Sequence, residues 1–211
     1  MASPTSSSNA YFAQVADQWD DIRAGYFTEH MRDAAIAKAN LPANAVVADV
    51  GTGTGFVAMG LALKASKVFG FDASPDMLAV AARNLAAFNN IELREAVGDQ
   101  LPVSDEMFDG VFANMYLHHA PDPLATIKEM ARTLKDDGVL CITDLDTHTH
   151  EWQREQMADL WLGFDRNDIR RWFAEAGLKE IDVDCAEGTC NACGPDGTVE
   201  PLSVFVAIGK K

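Results

Sequence analysis

Long hydrophobic runs are missing: no stretch of the 211 residues approaches the ~20 apolar positions that cross a bilayer, so a membrane span is not expected. Positive charge is scarce, with 17 Lys and Arg against 32 Asp and Glu. The resulting net charge of -15 repels phosphate backbones and anionic headgroups, which argues against nucleic-acid and membrane-surface partners and for a small-molecule substrate. Cysteine is also sparse. Cys141 sits in an apparent strand and three others cluster late, a pattern unlike a secreted disulfide scaffold, so free thiols and a cytoplasmic location are expected. The Ser-rich start, Met1 to Asn9, lacks the basic and apolar regions of a signal peptide and reads as disordered. With 48% hydrophobic and 23% charged residues, the chain suits one soluble domain with a full core, and nothing in it specifies an oligomeric state.

Against these absences stands one dense signal, AVVADVGTGTGF from Ala45 to Phe56. Val46, Val47 and Val50 suit a strand buried on both faces of a parallel sheet, ending near Asp49. Gly51, Gly53 and Gly55 then free the backbone and remove β-carbons, so that a ligand can touch the main chain. The apolar positions Val57, Met59, Leu61 and Leu63 predict a helix whose N-terminal amides face that ligand. A dinucleotide fingerprint would need a small residue where Phe56 stands, and a phosphate-cradling loop would need a lysine before Lys64. The remaining pattern, D-x-G-x-G-x-G, resembles the first motif of the class I S-adenosylmethionine-dependent methyltransferases.

Further motifs follow in order. KVFGF predicts a second strand ending at Asp72, 21 residues beyond Gly51, the distance at which a carboxylate meets a ribose diol in nucleoside-binding units. Ser74 and Pro75 read as N-cap and first residue of a helix running to about Phe88. Ile91 to Ala96 predicts a third strand, followed by GDQLP. There Asp99 is placed to accept from an adenine amine, and Leu101 to sandwich the ring with Ala73 and Met77. FDGVFAN from Phe108 predicts a fourth strand ending at Asn114, with His118 and His119 just beyond it. These histidines either brace the crevice loop or do acid-base work.

DVGTGTG, FDAS, GDQLP, FDGVFAN, LHHAPDP and LKDDGVLCITD together resemble the methyltransferases related to ubiquinone and menaquinone biosynthesis C-methyltransferases, over roughly Tyr11 to Asp144. The resemblance implies S-adenosylmethionine as cofactor, with contacts from Gly51, Gly53, Asp72, Asp99 and Asn114; Asp49, Thr52, Ala73, Met77, Gln100 and Leu101 complete the candidate set. It implies no universal catalytic residue. His118 and Tyr11 are candidates for a base, and Tyr11 also for an aromatic face over the sulfonium.

Leu145 to Phe164 is expected to lid a substrate pocket, and Asn167 to Ala176 to form a helix ended by Gly177. DLWLGF with the Trp-containing helix after it also resembles, locally, methyltransferases associated with metalloid-responsive regulators. Between strands at Leu178 to Cys185 and Leu202 to Ile208 lies a long loop holding Cys190 and Cys193. With Cys185 they form an alternative site for a soft ion or metalloid, half a zinc ribbon for a binding or sensor module, or free thiols. The expected architecture is an α/β, Rossmann-like class I methyltransferase fold: a seven-stranded, mostly parallel sheet with its last strand antiparallel. A disordered segment, 1–9, precedes a helical N-terminal cap, 10–40. The cofactor-binding core, 45–144, and the substrate lid with closing strands, 145–211, complete one domain.

Overall fold

The computed structural model describes residues 4–24, 27–193 and 199–211, without the side chains of 4–9, 187–193 and 199–200. Seven strands form one sheet: β1 (Val46–Val50), β2 (Lys67–Asp72), β3 (Ile91–Glu95), β4 (Phe108–Asn114), β5 (Leu134–Leu145), β6 (Lys179–Cys193) and β7 (Val199–Lys210). Their order is β3-β2-β1-β4-β5-β7-β6. Neighbours from β3 to β5 pair parallel, while β7 runs antiparallel to both β5 and β6, as expected for the last strand. Because β2 and β4 lie on opposite sides of β1, the chain reverses its direction of winding there. The crevice above the carboxyl ends of these strands is therefore where a ligand is expected.

The alternation of side chains along each strand explains the two-sided core. Val47, Val68, Cys141 and Val206 face one layer, with α3 (Glu29–Lys38) and α4 (Phe56–Ala62) packed against it. Ala48, Phe69, Leu140, Ile142 and Phe205 face the other, covered by α6 (Pro123–Thr133) and α8 (Arg166–Glu175). Local chemistry sets the helix starts. Ser74 caps α5 (Pro75–Asn84) by accepting from the Met77 amide, Asp122 caps α6 through Ala125, and Asp165 caps α8 through Asn167. Gly177, at φ +85°, ends the turn after α8. Helix α5 stops at Asn84, short of the expected Phe88, as Leu85 closes its last turn onto Ala81.

Two segments differ from expectation. Helix α1 (Pro4–Val15) begins inside the segment read as disordered; Pro4 at its first position needs no amide partner there. The long loop expected at 186–201 is largely a hairpin: Thr189 pairs with Ser203, Cys190 with Leu202 and Cys193 with Val199, beyond an irregularity after Cys185. Continuing the ladder satisfies backbone groups that a loop would leave to solvent. The side chains of Cys190 and Cys193 lie outside the described residues. The Cys185 thiol lies 3.3 Å from both terminal nitrogens of Arg166, which also grips Asp146 at 2.6 and 2.7 Å.

Candidate active site

A cavity of about 500 Å³ opens over the carboxyl ends of β1, β2 and β4, within the range of small-molecule sites. Its walls come from the cap, through Phe12, Trp19 and Arg23; from the glycine loop; and from the segment after β5, through Gln153, Met157 and Asp159.

The end of the cavity at the glycine loop, the candidate cofactor end, is backbone-built. Gly51, Gly53 and Gly55 take φ of +71°, +52° and +91°, in the left-handed region. A β-carbon on Gly51 would overlap the Tyr116 ring, whereas one on Gly53 would make only ordinary van der Waals contact with Trp19 and Met77, at 3.8 and 3.9 Å. Asp49, 1% exposed, ties the loop to the strand by accepting from the Thr52 hydroxyl at 2.6 Å and the Ala58 amide at 3.0 Å. Burial pushes its pKa up to about 7 despite those donors. Asp72 accepts from the Gly53 amide at 2.8 Å and the Ser74 amide at 2.9 Å, which aims its carboxylate into the crevice. Its pKa is raised by burial, with the backbone donors opposing. Bare main chain beside a braced carboxylate fits the amino-acid tail and ribose of S-adenosylmethionine, as expected for the cofactor.

The candidate cofactor residues divide. Asp49, Gly51, Thr52, Gly53, Asp72, Ala73, Met77, Asp99 and Asn114 all line the cavity. Gln100 and Leu101 do not: Gln100 is exposed, and Leu101 is buried in the core under α6 while its amide donates to Glu129 at 2.8 Å. Tyr116 fills the space between the loops instead, and its hydroxyl accepts from the Gly98 amide at 3.1 Å. Burial pushes that hydroxyl up to about 12.

The opposite end of the cavity is built from side chains distant in sequence. His118, 4% exposed, sits 2.6 Å through Nδ1 from Asp144 Oδ1. Asp144, with 0% exposure, is held by the Leu117 amide at 2.8 Å and the Leu145 amide at 2.7 Å. Burial opposes charge on His118, yet Asp144 and Asp159 together push its pKa to about 9. His119 shifts well below its usual value, through burial and the neighbouring His118 ring 4.0 Å away. Asp159, pushed up to about 6 by burial, has an Oδ1 sealed from solvent with no hydrogen-bond partner. Tyr11 lies beside rather than in the cavity wall. Its hydroxyl donates to Met157 Sδ at 3.5 Å, and burial moves it further from ionisation.

Sequence reasoning missed Arg23, Gln153 and Asp159. Arg23 stacks 3.6 Å above Phe56 and is, among the described residues, the one arginine or lysine in the lining. Asp159 carried no local signal, since a lone acid in a loop of mixed residues has no distinguishing spacing.

Comparison with known proteins gives the same frame. A family model described as a methyltransferase domain matches residues 41–177. The chain is 32% identical over 166 residues to 2-methyl-6-phytyl-1,4-hydroquinone methyltransferase 1, chloroplastic, of Oryza sativa subsp. japonica, covering 77% of this chain and 50% of that one. It is 35% identical over 138 residues to demethylmenaquinone methyltransferase of Bacillus licheniformis, covering 62% and 60%. The chain thus spans about half the length of the curated relatives it matches. A crystal structure of a SAM-dependent methyltransferase from Aquifex aeolicus has the same fold, with a TM-score of 0.72 at 19% identity, covering 94% of this chain and 97% of that one.

Proposed function

We propose that this chain, which belongs to the methyltransferase-domain family of S-adenosylmethionine-dependent enzymes, methylates a small hydroxylated aromatic acceptor of the hydroquinone type. The observation that carries the reading is the single cavity of about 500 Å³ that joins the glycine loop and Asp72 at one end to His118, His119 and Asp159 at the other. When bound, S-adenosylmethionine supplies an electrophilic methyl group on a sulfonium. The chain's task is then to bind, orient and exclude water, because holding two reactants in line removes much of the barrier.

Each set of residues has a distinct part. Amides of the glycine loop and the Arg23 guanidinium receive the cofactor's amino-acid end, Asp72 its ribose diol, and Asp99 and Met77 the base. Asn114, held by the Thr143 hydroxyl at 2.6 Å, closes the strand edge between the two ends. Phe12, Trp19 and Phe56 offer apolar walls for a flat ring, and the cap with α7 (Trp152–Gln156) covers it. His118 and Asp159 face the acceptor's hydroxyl. Among the described residues no helix is long and apolar enough to cross a membrane, and the free Cys141 and Cys185 thiols favour a reducing, cytoplasmic setting. The net charge of -15 supports a small molecule over nucleic acid as substrate.

The hydroquinone and demethylmenaquinone in the relatives' names, and the Cys185 thiol's engagement with Arg166, favour this reading over a metalloid acceptor. Labelled S-adenosylmethionine, offered with hydroquinones, catechols and their dimethyl ethers, tests the acceptor class. Label should enter the free hydroxyl compounds and not the diethers. Transfer to carboxylates or amines alone would refute the acceptor while leaving family membership intact.

A further inference from the structure

We infer that His118, His119 and Asp159 bind a divalent transition-metal ion at the acceptor end of the cavity, with a coordination position open toward it. The three residues come from two separate parts of the chain, the turn after β4 for both histidines and the segment between α7 and α8 for Asp159, yet one ligand atom from each lies within 4.8 Å of the others. His118 Nε2 is 3.7 Å and His119 Nδ1 3.9 Å from Asp159 Oδ1. Both distances exceed hydrogen-bond reach. They approach the ~3.4 Å edge of a tetrahedron of ligands placed ~2.0–2.2 Å from a four-coordinate ion.

The Asp159 oxygen makes this convergence more than a cluster. It is sealed from solvent and has no hydrogen-bond partner, a costly condition for a buried carboxylate. The two imidazole nitrogens and this oxygen bound a gap into which an ion could be drawn by a small closing movement of the three side chains. His118 is also pre-oriented. Its Nδ1 is engaged by Asp144, itself anchored by two backbone amides, leaving Nε2 aimed at Asp159. A carboxylate behind a histidine in this way is the usual support of a metal-ligating imidazole. His119 would exchange its long, 3.3 Å contact with the Ala158 carbonyl for the ion. Two imidazoles and one carboxylate are a donor set for zinc, iron or cobalt, and three protein ligands leave a site open. All three residues line the cavity, so the open position faces into it. That an acceptor oxygen takes this position rests on the proposed function; the ion site itself does not.

The test is direct metal binding without turnover. The full chain, treated with chelator and dialysed, is titrated with zinc and separately with cobalt. One equivalent should bind, with cobalt d–d absorption free of thiolate charge-transfer bands. Asp159→Asn and His119→Ala should each weaken binding by about tenfold or more, and Asp144→Asn by a factor in the ~10–100 range typical of residues behind a ligand. A triple serine variant at Cys185, Cys190 and Cys193 should bind as tightly as the parent. Circular dichroism and the heat of S-adenosylhomocysteine binding report whether each variant is folded. No saturable binding, binding that survives both ligand substitutions, or thiolate bands would overturn the metal site. Absence of heat with S-adenosylhomocysteine in the parent would instead remove the cofactor reading.

Discussion

The two ends of the cavity are made in opposite ways. At the proposed cofactor end the groups offered to a ligand are main-chain amides on a loop of consecutive residues, and the carboxylates there are already hydrogen-bonded: Asp49 to Thr52 and Ala58, Asp72 to Gly53 and Ser74. At the proposed acceptor end the groups are buried or half-buried side chains drawn from positions 118 to 159, and one carboxylate oxygen is left without a partner. The carboxylates of the first end are satisfied by the protein itself, whereas the second end leaves Asp159 Oδ1 unsatisfied.

Substitutions at each end should separate these characters. The largest effect is expected at Asp144→Ala. Removing one member of a buried pair costs about 3–5 kcal/mol, and the Leu117 and Leu145 amides lose their acceptor as well. Thermal melting should show a large drop. Gly51→Val comes next: the added side chain runs into Tyr116, and φ of +71° is strained for a β-branched residue. Calorimetry should then find S-adenosylhomocysteine affinity reduced well beyond tenfold. Asp72→Ala removes an ionised acceptor, whose hydrogen bonds are worth about 1.5–3 kcal/mol. Cofactor affinity should fall by roughly one to two orders of magnitude in the same measurement, because every 1.4 kcal/mol is about tenfold.

A separate effect, read as a change with pH rather than as a loss at one pH, is expected at Asp49. Its folded pKa is raised from 3.8 to about 7, so the folded state holds this proton more tightly than the unfolded state. Its contribution is therefore most favourable below the unfolded value and is lost as pH rises from about 4 to about 7, at up to about 1.4 kcal/mol per unit. Denaturation of Asp49→Asn beside the parent across that window should show the variant gaining relative stability as pH increases. A constant difference would mean that Asp49 is not held protonated by the loop.

The same contrast governs what the chain announces before it folds. The glycine loop, Asp72 and the Ser74–Pro75 cap were legible because each rests on near neighbours: a φ value, a spacing or a cap. The sheet was legible because apolar runs ended in turn residues. Leu101 was misplaced because a short turn directs its amide to Glu129 on α6 and its side chain into the core, a tertiary choice with no local mark. Tyr11 turned to Met157, 146 positions away, for the same reason. The hairpin at Cys190 and Cys193 was hidden by polar and small residues, whose pairing depends on β7 opposite them. Asp159 became visible only when folding brought it against two histidines.

The cofactor end carries the account, and calorimetry of S-adenosylhomocysteine against the folded parent chain tests it most directly. One saturable site that weakens at least about tenfold in Asp72→Ala is the predicted result. No heat from a chain that melts cooperatively, or heat unchanged by that substitution, would contradict it.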